Sequence, residues 1–174
     1  KNPKKKVEIA LVGKYVSLQD SYKSIAEAFI HAGAAQETEV KLRWIYSGEL
    51  TESNLAESFK GIDGMLIAPG FGDRGIEGKI LAAKFARENR IPLLGICLGM
   101  QIMTIEFARN VLGYRDANSS EFDLTTKYPV ISIMEEQKNV VEKGGTMRLG
   151  AWKCQLKPNT TLFEIYGAKN ITER

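Results

Sequence analysis

The stretch IPLLGICLGMQ, residues 91–101, predicts a strand that turns sharply into a helix. Its apolar run at 92–96 is typical of a buried strand in a parallel sheet, and Gly95 and Gly99 flank Cys97. Small residues on both sides of such a turn let the backbone bend and let a second molecule approach. Two interpretations of Cys97 therefore stand side by side: a nucleophile on a sharp turn, or a small buried thiol between glycines.

Strands and helices alternate along the first two thirds of the chain. The predicted strands cover residues 7–13, 40–46, 64–68 and 92–96, and the predicted helices cover 20–35, 51–59, 77–89 and 99–112. Since parallel neighbours need crossover helices, this alternation predicts an α/β fold with an open, mostly parallel sheet and helices on both faces. The helix at 99–112 is apolar over most of its surface, so we expect it to be buried.

The pattern changes after the glycine at 113. Short apolar segments at 130–134 and 152–156, with the glycine-rich stretch 144–150 between them, predict antiparallel additions to the core after residue 128.

Composition indicates a globular domain of 174 residues with 44% hydrophobic and 26% charged residues. A net charge of +3, with its lysine run 4–6 read as a solvated linker or chain end, gives no argument for nucleic acid. We expect no membrane segment and a cytoplasmic location. Cys97 and Cys154 have no C-x-x-C spacing, and the single histidine is His31, so we expect free thiols and no metal site.

The predicted position of Cys97 suits nucleophilic chemistry. In a parallel sheet the loops after the third and fourth strands share one edge, so Cys97 and the glycine-rich loop 69–75 are expected to be neighbours. The positive end of a helix dipole favours a thiolate, and the Leu98 N–H points into the same space. An amide of Gly70 would complete an oxyanion hole. Gln101, a polar residue on an apolar helix, needs a ligand or a hydrogen-bond network.

Several segments, in order along the chain, resemble one family. They are residues 12–15 (VGKY), 21–28 (SYKSIAEA), 70–75 (GFGDRG), 95–101, 118–122 (NSSEF) and 144–150 (GGTMRLG). As a set they resemble the glutaminase domain of the triad glutamine amidotransferases, and more narrowly that of the CTP synthases. The resemblance implies a flavodoxin-like architecture.

The resemblance also implies roles for individual residues. Cys97 would attack the side-chain amide of L-glutamine and form a thioester that water hydrolyses. Leu98 and Gly70 would form the oxyanion hole. The substrate would be held by Gly99, Met100, Gln101 and Glu121. The relatives often have glycine where this chain has Pro69; proline lacks an N–H, so the second donor must be Gly70 or Phe71.

The family's His-x-Glu pair does not occur in this chain, and His31 lies in the first predicted helix. We therefore expect residues 7–174 to be a glutaminase domain cut before that pair, with residues 1–6 a linker from a preceding synthetase domain. The resemblance implies that this domain has no cofactor and that ATP, UTP and Mg²⁺ bind at the synthetase domain. It also implies GTP as an activator, with Arg74 involved, and a homotetramer. The domain alone is expected to be inactive or nearly so.

Other interpretations remain open. Residues 72–80 join a strand to a helix and contain Gly-Lys, but Asp73 and Ile80 break the phosphate-loop spacing. Another cysteine-dependent α/β hydrolase or amidotransferase would share the turn at Cys97 without requiring Gln101 and Glu121. An inactive structural or assembly module is the third alternative.

Overall fold

Four parallel strands form the central sheet, in the order β2-β1-β3-β4. The computed structural model describes residues 3–16, 18–133 and 151–173. The strands are β1 (Lys5–Gly13), β2 (Thr38–Tyr46), β3 (Gly64–Ile67) and β4 (Leu93–Gly95). This order is the flavodoxin-like one, and it confirms the predicted open parallel sheet.

The first strand begins two residues before its predicted start. Lys5 pairs with Thr38 and Lys6 with Glu39, and the Lys6 ammonium lies 2.8 Å from the Glu39 carboxylate. The lysines belong to the strand because β2 is long enough to give them pairing partners.

The helices of the core lie where the sequence predicts them, with ends that differ by a few residues. They are α1 (Lys23–Ala35), preceded by a 3₁₀ helix at Gln19–Tyr22, α2 (Leu55–Ser58), α3 (Ile76–Glu88) and α4 (Leu98–Asn110). A further 3₁₀ helix covers Ser47–Glu49, and an unpredicted helix, α5, covers Thr161–Tyr166.

Alternate residues of β1 face the two layers of helices. Ala10 and Val12 join the core cluster that contains the buried residues of α3 and α4. Leu11 points the other way, into a cluster with Tyr22 and with Phe29 of α1. The period of two along the strand thus places helices on both faces of the sheet, as predicted.

The prediction that α4 is buried on most sides is wrong for one of its faces. Ile102 and Ile105 are fully buried, but Phe107 and Leu112 keep 47% and 55% of their surface exposed. The exposed face lies beside β4, the last strand of the sheet order, where Leu94 is 58% exposed. Among the described residues nothing covers this edge.

The strands after α4 form two separate pairs. β5 (Ala117–Ser119) and β6 (Tyr128–Ile131) pair in parallel, so the antiparallel prediction is wrong for the segment near 130. β7 (Trp152–Gln155) and β8 (Asn170–Glu173) pair antiparallel, as expected after residue 128. The glycine-rich stretch 144–150 lies outside the described residues.

The chain divides into two compact units, residues 1–132 and 133–174. Within the described ranges, no helix has the length and apolar character needed to cross a membrane.

Candidate functional site

Cys97 occupies a strained turn between β4 and α4. Its backbone has φ 55° and ψ −109°, a conformation that non-glycine residues rarely adopt, and its side chain is exposed. Strain of this kind persists only where the surroundings impose it, and it is frequent at functional sites. The interpretation of Cys97 as a buried thiol is therefore wrong, and the sharp turn is confirmed.

The two flanking glycines make the turn possible because backbone packs on backbone at both. A Cβ on Gly95 would stand 2.7 Å from the amide nitrogen of Met100. A Cβ on Gly99 would overlap the carbonyl oxygen of Ile67 and lie 3.0 Å from its carbonyl carbon. Distances near 3 Å or less are shorter than real Cβ contacts, so the start of α4 can approach β4 only without a side chain at 95, and β3 only without one at 99.

The first turn of α4 leaves one amide free. Gly99 N donates to Ile96 O at 2.8 Å, and the amides of Met100 and Gln101 donate to the carbonyl of Cys97 at 3.1 and 3.3 Å. Leu98, as the first helical residue, has no partner within the helix, and its N–H meets no acceptor among the described residues. A free donor next to a nucleophile is the arrangement that an oxyanion hole requires.

The loop after β3 lies against this turn, as predicted. A Cβ on Gly70 would be in ordinary contact, 3.7 Å, with Cδ2 of Leu98. The ammonium of Lys14, at the end of β1, donates a hydrogen bond to the carbonyl of Phe71. The loop thus sits between the ends of β1 and β3, the switch point of the sheet order, where ligands bind in open α/β folds.

Sequence reasoning missed Lys79, which lies beneath the same loop. Its side chain, on α3, is fully buried, and its ammonium donates a hydrogen bond to the carbonyl of Ala68 at 3.0 Å. The pKa of Lys79 is lowered from 10.5 to about 8, mainly by burial and to a smaller extent by the charge of Lys14, while the charge of Cys97 acts in the opposite direction. Helical spacing could have indicated its burial, since position 79 lies on the same buried face of α3 as Ile76 and Ala83.

The other predicted substrate residues of α4 have different surroundings. Gly99 is buried against β3, and Met100 is 52% exposed. Gln101 is half-buried, and its Oε1 atom is buried without a hydrogen-bond partner. An unsatisfied buried carbonyl is costly, so this atom is suited to accept a hydrogen bond from a bound molecule.

Glu121 lies in the turn after β5 and is half-buried. Its N–H donates to the hydroxyl of Ser119 at 3.1 Å. The neighbouring Phe122 packs against the core cluster that includes Leu98. Arg109 of α4 donates to the carbonyl of Ala117 at 2.6 Å, so the segment that carries Glu121 is attached to the helix that begins at Cys97.

His31 is not part of this site. It lies exposed on α1, which packs on the face of the sheet opposite α4. Among the described residues, no group of three or more histidine, cysteine, aspartate or glutamate side chains is placed to hold a metal ion.

Comparison with known proteins identifies the class to which this fold and site belong. The family model described as glutamine amidotransferase class-I matches residues 17–172. The chain belongs to the class-I glutamine amidotransferase family.

Within this family the chain is similar to the glutaminase domain of CTP synthase. It is 60% identical over 174 residues to the CTP synthase of Flavobacterium johnsoniae and 54% identical over 168 residues to that of Bacillus subtilis. These alignments cover 100% and 97% of this chain but 32% and 31% of the relatives, so the chain spans about a third of their length.

A solved structure agrees with this similarity. The glutaminase domain of Trypanosoma brucei CTPS, determined with bound acivicin, matches with a TM-score of 0.85 and 38% identity. The match covers 97% of this chain and 65% of that one.

Proposed function

We propose that this chain is the part of a CTP synthase that hydrolyses L-glutamine, through a thioester on Cys97, and supplies ammonia for the ATP-dependent amination of UTP. The exposed Cys97 on its strained turn, with the unpaired Leu98 amide beside it, carries the proposal. The similarity to CTP synthases and to an acivicin-bound glutaminase domain supports the choice of reaction.

The first chemical step forms the thioester. The Cys97 thiolate attacks the side-chain carbonyl carbon of glutamine, and a C–S bond forms while the carbonyl oxygen takes the negative charge. Leu98 N–H and the Gly70 amide stabilise that oxyanion. The C–N bond then breaks, and the nitrogen leaves as ammonia after it gains a proton. Water hydrolyses the thioester to glutamate and regenerates the thiol.

Binding of glutamine rests on residues around the turn. The Oε1 atom of Gln101, buried without a partner, accepts a hydrogen bond from the substrate. The carboxylate of Glu121 pairs with the α-ammonium group. Gly99 and Met100 line the space next to the nucleophile.

Proton transfer to the leaving nitrogen needs a general acid, and the described residues place no histidine at the site. His31, the single histidine, is on the wrong face of the sheet. We therefore propose that a histidine and a glutamate from outside this sequence complete the triad, and that the 174 residues alone turn glutamine over slowly or not at all.

The similarity to CTP synthases supports a proposal for the remaining partners. We propose a synthetase domain before residue 1 that binds ATP, UTP and Mg²⁺, and GTP as an activator. We also propose that the whole enzyme is a cytoplasmic homotetramer. No residue of this chain is assigned to those ligands.

Covalent labelling with a diazo-ketone analogue of glutamine tests the proposal. The adduct is expected on Cys97, with Cys154→Ser as the matched control that leaves labelling unchanged and Cys97→Ala as the variant that abolishes it. A cysteine hydrolase of another specificity would react with iodoacetamide but not with the analogue. Absence of labelling in the full-length natural protein that contains these residues would refute a glutamine site.

A further inference from the structure

We infer that Lys79 is a positioning residue of the oxyanion loop, acting through the charge-assisted hydrogen bond from its buried ammonium to the carbonyl of Ala68. This inference deepens the proposed function and rests on it. Neither the phosphate-loop pattern nor the resemblance assigns Lys79 a role.

The first observation is the burial of the lysine. Lys79 is among the largest fully buried side chains of the described residues, although lysine is almost never fully buried unless it is paired. Among the described residues no carboxylate lies within ion-pair distance of its ammonium, which donates instead to the backbone carbonyl of Ala68. An apolar side chain of the same length would be cheaper to bury, so the ammonium needs a reason beyond packing.

The second observation is where the ammonium lies. Ala68 is fully buried and directly follows β3, and two residues later comes Gly70, the proposed oxyanion donor. The position of a Cβ on Gly70 is 3.8 Å from Lys79 Nζ. The ammonium also lies close enough to Cys97 for the charge of the thiolate to act on it. The buried ammonium of α3 therefore lies against the segment that carries Gly70.

The hydrogen bond from Lys79 restricts the chain at Ala68, the residue before the loop 69–75. Ala68 N donates to Val12 O at 2.9 Å, and Lys79 fixes the carbonyl on the other side of the same residue. Lys14 holds the carbonyl of Phe71, three residues further along the chain. Because the chain is held at residues 68 and 71, the amides of residues 70 and 71 between them have little freedom to reorient, and preorganised donors are the effective ones in an oxyanion hole.

Lysine is suited to this position because its hydrogen bond is charge-assisted. Hydrogen bonds from charged donors are roughly twice as strong as neutral ones. A neutral amide at position 79 would hold the carbonyl more weakly, and a thioether would not hold it. Reactions of Cys97 that depend on the loop are therefore expected to be fastest in the wild type, slower in Lys79→Gln and slowest in Lys79→Met.

Two reactions of Cys97 separate loop positioning from thiol reactivity. Acylation by the p-nitrophenyl ester of the glutamate side chain forms a C–S bond and releases p-nitrophenolate as an anion. That leaving group needs no proton, so the 174-residue chain suffices, and the burst of p-nitrophenolate measures the step. Alkylation by iodoacetamide displaces iodide at a methylene carbon and needs no oxyanion hole. Both reactions are measured in a chain that also carries Cys154→Ser, so that Cys97 is the one thiol that can react.

Lys79→Met is expected to slow acylation by about tenfold to a hundredfold, less than the outright loss of a donor, and to leave alkylation within about twofold. The acylation rate of Lys79→Gln is expected to lie between those of Lys79→Met and the wild type. Equal changes in both reactions, or none in acylation by folded Lys79→Met, would overturn the inference. Should Lys79→Met fail to fold, Lys79→Gln with wild-type acylation would overturn it too. A wild-type chain that is alkylated but never acylated would defeat the proposed function instead.

Discussion

Gly99 packs so closely on Ile67 that a Cβ at position 99 would overlap the carbonyl oxygen of Ile67, which leaves no room for a side chain between the start of α4 and the end of β3. Ile67 O also accepts a hydrogen bond from Ile96 N at 3.2 Å. One carbonyl therefore fixes both arms of the turn that presents Cys97. The strained residue Cys97, with φ 55°, lies between these two contacts along the chain.

Gly99→Ala is expected to lower the free energy of unfolding by about 1 to 3 kcal/mol, because the new methyl group has to displace backbone rather than a side chain. Gly70→Ala is the matched control, since its Cβ would meet ordinary contacts at 3.7 Å or more and stability should hardly change. Urea denaturation of both variants measures the difference. Equal stability of the two would mean that α4 and β3 are not in contact as described.

Cys97→Gly is expected to be about 1 kcal/mol more stable than Cys97→Ala. Both variants lack the thiol, but only glycine adopts φ 55° without strain, and the relief exceeds the extra flexibility that glycine gives the unfolded chain. Thermal and urea unfolding of the pair make the comparison. A more stable alanine variant would show that the turn is unstrained.

Glu106→Ala is expected to cost about 3 kcal/mol of stability, because it leaves Arg87 without its buried partner. The Glu106 side chain is 3% exposed, and Arg87 donates to it from Nε and Nη2 at 2.8 to 3.1 Å. Glu88→Ala is the control: its carboxylate lies 3.4 Å from the same guanidinium but is 50% exposed, so removal should cost less than about 1 kcal/mol. Similar losses in the two variants would contradict a buried link between α3 and α4.

The stability of the wild type relative to Lys79→Met is expected to rise with pH. The pKa of Lys79 is lowered from 10.5 to about 8, so between these values the unfolded chain binds more protons than the folded one. Below pH 8 the cost of burying the charge is fully present; it disappears as the pH approaches 10.5, a change of roughly 2 to 3 kcal/mol. Parallel denaturation curves from pH 7 to 10.5 test this, and a constant difference would contradict it.

The core of the fold could be predicted because its signals are local. Short apolar runs separated by amphipathic stretches specify parallel strands with crossover helices, and Gly95 and Gly99 mark the close approach at the turn. The loop at 69–75 could be placed beside Cys97 because both follow strands of the same sheet.

The buried charges could not be predicted because they depend on partners distant in sequence. Lys79 and Glu106 stand at core positions of their helices, and only the folded chain brings Ala68 and Arg87 to them. The exposed face of α4 was missed for a related reason. Periodicity identifies apolar stripes, but whether the stripe with Phe107 is covered depends on what lies beside β4.

The most direct test of the central claim is to look for a glutamyl thioester on Cys97. The chain is mixed with the p-nitrophenyl ester of the glutamate side chain, quenched in acid and mapped by mass spectrometry. We predict one acyl group on Cys97, which hydroxylamine removes. L-glutamine should prevent its formation, and D-glutamine should not. An acyl group on Cys154 or on lysines, or no acyl group on the folded chain, would contradict the assignment of Cys97 as a glutamine-attacking nucleophile.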